Sequence, residues 1–315
     1  MTAPPRSPDR STETRSPDRG VTCRPDPTIR ESSEELGRGT PSKRSLTWLI
    51  VLGIIVGVAA WVAEVDPITL VSTDARQQMW QFVADGVPPD FSAEYLLGRT
   101  VRDGLLWAIV ETIAISIAGI VLAVGLAIPL AVAGASNVTH TGPMYTGTSG
   151  FRRYAGHLLQ RLTRGILSFL RAVPDLVWGF LFVTAVGLGP FAGVLALGIH
   201  NAGVLGKIYA DFLEDTDPAP AEAVYATGAT RLQTVFHGIV PQLTPTLVSY
   251  TLYRWECAIR AATILGFVGA GGIGYYLTVT ITRLQYQKLV TAIIAVFVLV
   301  VAADYISARL RRNLV

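Results

Sequence analysis

The sequence predicts an all-α integral membrane protein, and three observations carry that prediction. Half of the 315 residues are hydrophobic and only 16% are charged, against about 25% charged in a soluble domain. The apolar residues fall in blocks long enough to cross a bilayer, which separates the chain from a soluble protein with a large core. The basic residues gather near the ends of those blocks. With a net charge of only +3, that pattern suits orientation in a membrane rather than nucleic-acid binding. Cys23 sits in a polar tail and Cys257 in an apolar segment, so a disulfide between them is not expected. No Cys-x-x-Cys pair suggests a metal or redox site.

Residues 1–44 are rich in Ser, Pro, Arg, Asp, Glu and Thr. Such a segment cannot bury enough apolar surface to offset its ordering entropy, and a disordered tail is expected there. Thr47 to Ala63 is free of charge, with Lys43 and Arg44 before it and Glu64 and Asp66 after it. With its flanks it reaches the roughly 20 residues that a spanning helix needs, and a first span is placed at about 46–65. Residues 66–104 turn polar and acidic, which reads as an extracytoplasmic segment; the first span and this segment make up a region over 45–103. A larger membrane domain follows over 104–315. Its second helix is expected at about 104–133, ending near Pro129 and the run 134–137. A loop through Arg152 and Arg153 leads into a third helix at about 158–186, which holds Arg171, Pro174 and Asp175 and is broken by Gly187-Leu188-Gly189-Pro190. A fourth helix runs to about Phe212, a fifth from Pro241 to Phe267, and a sixth from Lys288 to Arg309.

Counting basic residues at the ends of six such helices gives Lys43, Arg44, Arg152, Arg153, Arg161, Arg164, Lys207, Arg231, Arg309, Arg311 and Arg312 on one side. The other side holds Arg76, Arg99, Arg102, Arg283 and Lys288. The positive-inside rule then puts both termini in the cytoplasm of a multi-pass protein of the cell membrane. The polar island at 217–241 falls on the same side.

The chain lacks the constellations of an enzyme. There is no P-loop lysine, no G-x-S-x-G elbow and no His-Glu-x-x-His, and His140, His157, His200 and His237 are scattered. No metal site is expected. Gly269-Ala270-Gly271-Gly272-Ile273-Gly274 spells G-x-G-x-x-G, but an apolar helix precedes it and no acidic residue lies between Glu256 and Asp304. That excludes a dinucleotide site, which needs a strand before the glycines and an acid about 20 residues after them. Two readings of these glycines remain: a turn that lets helices pack closely, or a gate. Arg254, Glu256 and Arg260 lie inside the fifth apolar segment. Charges at a helix centre cost at least about 2.5–3.5 kcal/mol each, so they face the bundle or a cavity. Glu256 and Arg260, four apart, are expected to pair on one face, leaving Arg254 to find another partner. Here too two readings stand: a structural ion network, or an arginine fork for a tetrahedral oxyanion. Interhelical pairing is expected of Arg171, Asp175 and Asp304.

Glu222, Ala223, Gly228 and Pro241 stand at the spacing of the "EAA loop" of ABC-importer permeases, although that pattern prefers Ala, Ile and Leu where this chain has Val224, Gly238 and Val240. An ordinary interhelical loop is the alternative. On this stretch together with 171–215 and 249–274, the chain resembles the permease subunit of phosphonate-type ABC importers from about Leu105 to Arg312. The resemblance implies a type I importer permease fold (MetI-like) with six spanning helices. It implies a loop at 217–241 that sits in a groove of the ATPase, with Glu222, Ala223, Gly228 and Pro241 as coupling residues. It also implies a glycine run, Gly269, Gly271, Gly272 and Gly274, near the translocation path. The implied partners are two ATPase copies, a second permease copy (a homodimer), an extracytoplasmic substrate-binding protein and the lipid bilayer, with no nucleic acid. The chain itself would hold no cofactor, and ATP and Mg²⁺ would sit on the ATPase. The expected cargo is a phosphonate or related phosphorus oxyanion. Phosphate, phosphite or methionine uptake, or an intramembrane enzyme, are the alternatives.

Overall fold

A computed structural model describes residues 43–64, 72–100, 103–139 and 150–312. The tail expected over residues 1–44 lies almost wholly outside them. Among the described residues every regular element is helical. Helix α1 (Lys43–Val62) belongs to a unit that ends at Ala75, and the remainder, Arg76–Val315, is a second unit. α1 carries no charge after Arg44 and is long and apolar enough to cross a membrane by itself.

The second unit is built around α4 (Leu105–Gly134) and α8 (Pro190–Asp215). Small residues let these two backbones approach. Ala123, Ala127 and Ala131 of α4 and Ala202 and Ala210 of α8 are all buried in one cluster. In lipid there is no hydrophobic drive to bring helices together, so close van der Waals contact between small residues replaces it. A β-carbon on Gly198 would come within 2.5 Å of Leu122. Gly198→Leu is therefore expected to pry α4 from α8 and to lower the yield of folded chain, as judged by size-exclusion chromatography in detergent.

The expected third helix is two helices. α6 (Gly150–Ala172) and α7 (Asp175–Val186) meet at an angle of 87°. Pro174 has no N–H to donate and bars Val173 from the helical region, so the helix cannot run through. The freed groups find other partners: the Asp175 carboxylate accepts from the Leu176 N–H, the Trp178 indole donates to Leu170 O, and His200 Nδ1 lies 3.0 Å from Val173 O. The bend also separates Arg171 from Asp175, and among the described residues neither takes part in an ion pair. That corrects the interhelical pairing expected of both. Asp304 likewise has no ion-pair partner among the described residues, and its Oδ1 is buried without a hydrogen bond.

The acidic stretch before α4 is partly helical, with α2 (Thr73–Gly86) and α3 (Ala93–Leu97). Ser92 caps α3 through its hydroxyl. The segment is fastened to the start of a later helix, α13 (Tyr286–Arg312): Thr291 donates to Asp90 O and the Tyr95 phenol donates to Lys288 O. Burial pushes the Tyr95 phenol up to about 12, so it stays a neutral donor. The Ser92 backbone N–H, donated to the Asp90 carboxylate, holds that group below its usual range.

Four described helices are long and apolar enough to span a bilayer, α1, α4, α8 and α13, and the bent pair α6–α7 is a fifth candidate. The helix expected from Pro241 to Phe267 is present as α11 (Val240–Gly266). It carries three charges within the helix, Arg254, Glu256 and Arg260, and is not among the helices apolar enough to span by themselves.

Candidate functional site

Two places gather the residues singled out from the sequence. The first is the polar island. α8 ends at Asp215, and Asp217 begins α9 (Pro218–Ala226), its carboxylate accepting from the Ala219 N–H at 3.0 Å with Pro218 in the first turn. Gly228 follows with φ +86°. Thr230 and Gln233 then bond to each other in the manner of a capping box at the head of α10 (Arg231–Thr234). A π-helical turn, Val235–Ile239, joins α10 to α11. The result is a helix, a glycine turn and a second helix. Glu222 and Ala223 are exposed on α9, Gly228 on the turn, and Pro241 in the first turn of α11. Glu222 lies past the first turn of α9, so the helix dipole acts on Asp217 rather than on Glu222.

The structure explains one departure from the loop pattern. Gly238 is buried in the π turn, and a β-carbon there would stand 2.8 Å from Ala221 Cα. The glycine lets the second helix lie directly on the first. π turns are rare and concentrate at functional sites.

The second place is the interior of α11 and the turn that follows it. Arg254 donates from Nε and Nη2 to Asn201 Oδ1 at 3.1 and 2.6 Å, and the buried Asn201 amide donates onward to Leu197 O. Glu256 does not pair with Arg260. Its side chain, 8% exposed, meets Arg311 of α13 at 2.6 Å. The reason is rotational: Glu256 lies on the buried side of α11, with Ile259 packed against Leu299 and Ala303 of α13. Arg260 is on the open side with Tyr253, Ile264 and Phe267, and reaches only Glu256 O, at 3.4 Å. Among the described residues Arg260 has no ion-pair partner.

The glycine run links α11 to α12 (Gly272–Thr282), a helix that the sequence did not announce. Gly269, Gly271 and Gly272 have φ of +95°, +81° and +70°, values that glycine adopts at little cost. They line a cavity of about 670 Å³ with Asp103, Glu111, Gly189 and Arg283. Gly274 is not in its lining. It packs against Gly266, and a β-carbon there would run into Thr263 O. The start of α12 is held from α4: Glu111 Oε2 accepts from the Gly272 N–H at 2.8 Å, and Thr112 Oγ1 accepts from the Ile273 N–H at 2.9 Å. Removal of one such cap costs on the order of 1 kcal/mol, so Glu111→Ala should loosen α12, read as faster hydrogen exchange at Gly272–Tyr275. Glu111 was missed as a site residue from sequence. A signal existed for Glu111, the only acidic residue between Asp103 and Asp175.

Among the described residues no group of His, Cys, Asp and Glu could hold a metal ion.

Residues 143–315 match the family described as binding-protein-dependent transport system inner membrane component. The phosphite transport system permease protein PtxC of Stutzerimonas stutzeri is 35% identical over 264 residues, 84% of this chain and 87% of that protein. The phosphate-import permease protein PhnE of Mycolicibacterium smegmatis is 34% identical over 295 residues, 91% of this chain and 50% of that protein. A solved structure of the MetNI methionine ABC transporter in an inward-facing conformation has a chain 22% identical. The match covers 67% of this chain and 96% of that one, with a TM-score of 0.55. It establishes a shared type I importer permease fold. A permease of this kind is a transport subunit, not an enzyme, and works with an ATPase and a substrate-binding protein. The exposed helix–glycine–helix loop, the charged α11 and these likenesses agree, and the chain belongs to the binding-protein-dependent inner-membrane permeases of ABC importers.

Proposed function

We propose that the chain moves a phosphonate or a related phosphorus oxyanion, such as phosphite or phosphate, into the cell. The observation that carries this reading is Arg260, an arginine inside the second half of α11 that is exposed and has no carboxylate partner among the described residues. An arginine at membrane depth does not face lipid; it lines a protein interface or a water-filled path. Its planar fork matches the oxygens of a tetrahedral anion. The names of the two relatives above, phosphite and phosphate permeases, support the same cargo class.

The assembly we infer has two copies of this chain, two ATPase copies and one binding protein. The open face of α11 then looks onto the second copy, and the glycine-lined cavity onto the side where the binding protein docks. Both termini and the 217–241 loop are cytoplasmic, with α1, α4, the bent α6–α7 pair, α8, α11 and α13 as six spans. ATP and Mg²⁺ act on the ATPase. Closure of its dimer draws the two loops together, and the helices rock to admit the anion from outside. After hydrolysis the path opens inward.

Growth with a phosphonate or phosphite as sole phosphorus source, in cells with and without this chain, tests the cargo. Growth that does not depend on the chain for any phosphorus oxyanion would refute the assignment. Loss of a hydrogen bond to a charged group costs about 1.5–3 kcal/mol. Arg260→Ala is therefore expected to cut uptake by an order of magnitude or more with assembly intact, and Arg260→Lys less. Orientation is read separately. A cysteine at Asp85 should react with an impermeant thiol reagent from outside, and one at Tyr225 only after the membrane is opened.

A further inference from the structure

Where α8 ends, just before the loop, one arginine gathers three helices. Arg164 of α6 donates from Nε to Gly134 O, the last carbonyl of α4, at 3.0 Å. Its Nη2 lies 2.7 Å from Glu214 Oε2 and 3.4 Å from Asp211 Oδ1, both on the last turns of α8. Glu214 in turn accepts at 2.6 Å from the N–H of Ser136, which opens the four-residue helix α5 (Ser136–Thr139) just past the end of α4, and Asn137 Nδ2 donates to Leu213 O. Lys207 stands 3.6 Å from the other Asp211 oxygen. Only Asp215 and Thr216 separate Glu214 from Asp217, which caps α9.

We infer that the Arg164–Glu214 pair is the positioning contact that carries displacement of the 217–241 loop from α8 into α4 and α6. The inference rests on the proposed role of that loop as the ATPase-coupling element. Movement of α9 reaches the bundle through the end of α8 as well as through the π turn that leads into α11. At that end of α8 the charged contacts at Glu214 and Asp211, together with the Asn137–Leu213 bond, are polar ties that join α8 to α4 and α6. Arg164 suits the task because a guanidinium reaches a helix-end carbonyl and two carboxylates at once, which a lysine ammonium on the same stem cannot do with the same geometry. Neither residue touches the cargo. Both side chains are about one-quarter to one-third exposed, although Arg164 Nη2 itself is buried against the carboxylates.

The test uses the complete complex, permease with its ATPase and binding protein, in proteoliposomes. Uptake and ATP hydrolysis are both measured per assembled complex. Glu214→Gln keeps an acceptor for the Ser136 N–H but drops the charge that holds Arg164; Arg164→Lys keeps the charge but loses the fork. Each is expected to leave ATP hydrolysis within about twofold of wild type while uptake per ATP hydrolysed falls about fivefold or more, the range of typical inter-site coupling. A contact that only supports the fold would lower both together, in proportion to the amount of complex, and leave their ratio unchanged. An unchanged ratio in both variants overturns the inference, as does failure of both to assemble. Loss of ATP-driven uptake in the wild type would instead refute the transport assignment on which it rests.

Discussion

Replacement of Glu256 by alanine should be the most damaging single change in the membrane domain. The carboxylate is 8% exposed and holds Arg311 of α13 at 2.6 Å. Removing one member of a buried pair costs about 3–5 kcal/mol, because the other charge is stranded. Arg311 is about one-third exposed and can partly regain solvent, which places the expected loss at the lower end of that range. The readout is the thermal midpoint and yield of the detergent-solubilised chain. The double change Glu256→Met with Arg311→Met should recover most of the loss, since apolar side chains of similar size replace a buried pair at little cost. Arg260→Ala should leave the midpoint unchanged, because among the described residues Arg260 has no carboxylate to strand. Equal loss of stability in Arg260→Ala and Glu256→Ala would contradict the pairing described here.

The second large effect is expected at Gly228. Its φ of +86° lies in the region closed to β-branched residues, and the space around a β-carbon there is empty. The penalty in Gly228→Val is thus backbone strain alone, about 1–3 kcal/mol, which the turn relieves by changing shape. Membrane insertion should be normal, while co-purification of the ATPase and uptake in vesicles should each fall about tenfold, the equivalent of 1.4 kcal/mol. Gly228→Asn, which tolerates positive φ, should do less harm. Glu222→Ala, which removes an exposed carboxylate without touching the turn, should give a milder loss of the same kind. Full ATPase binding by Gly228→Val would remove 217–241 as the coupling element.

Much of this was legible in the residues. The charge-free run in α1, the polar island and the charged interior of α11 follow from composition and spacing, and the permease family was reached through resemblance at 171–215, 217–241 and 249–274. What the sequence hid was set by rotation and by distance along the chain. Glu256 and Arg260 lie on neighbouring positions of a helix surface, yet the packing of α13 takes Glu256 and leaves Arg260 out. The partner it chooses is 55 residues away. Pro174 was visible as a helix breaker, but the 87° turn also depends on Trp178 and His200 catching the carbonyls freed there. The start of α12 was illegible because its caps, Glu111 and Thr112, come from another helix 161 residues earlier. Gly238 looked like a weak match to a loop pattern and proves to be the point where the loop's two helices touch.

The central claim, ATP-driven import of a phosphorus oxyanion by this permease, is met most directly by uptake into proteoliposomes. The complex would be reconstituted with its ATPase and binding protein, and entry of labelled phosphite or phosphonate followed. Label should accumulate only when ATP and Mg²⁺ reach the ATPase. An excess of unlabelled phosphorus oxyanion should suppress it, and methionine should not. Accumulation without the ATPase, or uptake that no phosphorus oxyanion competes away, would contradict the account.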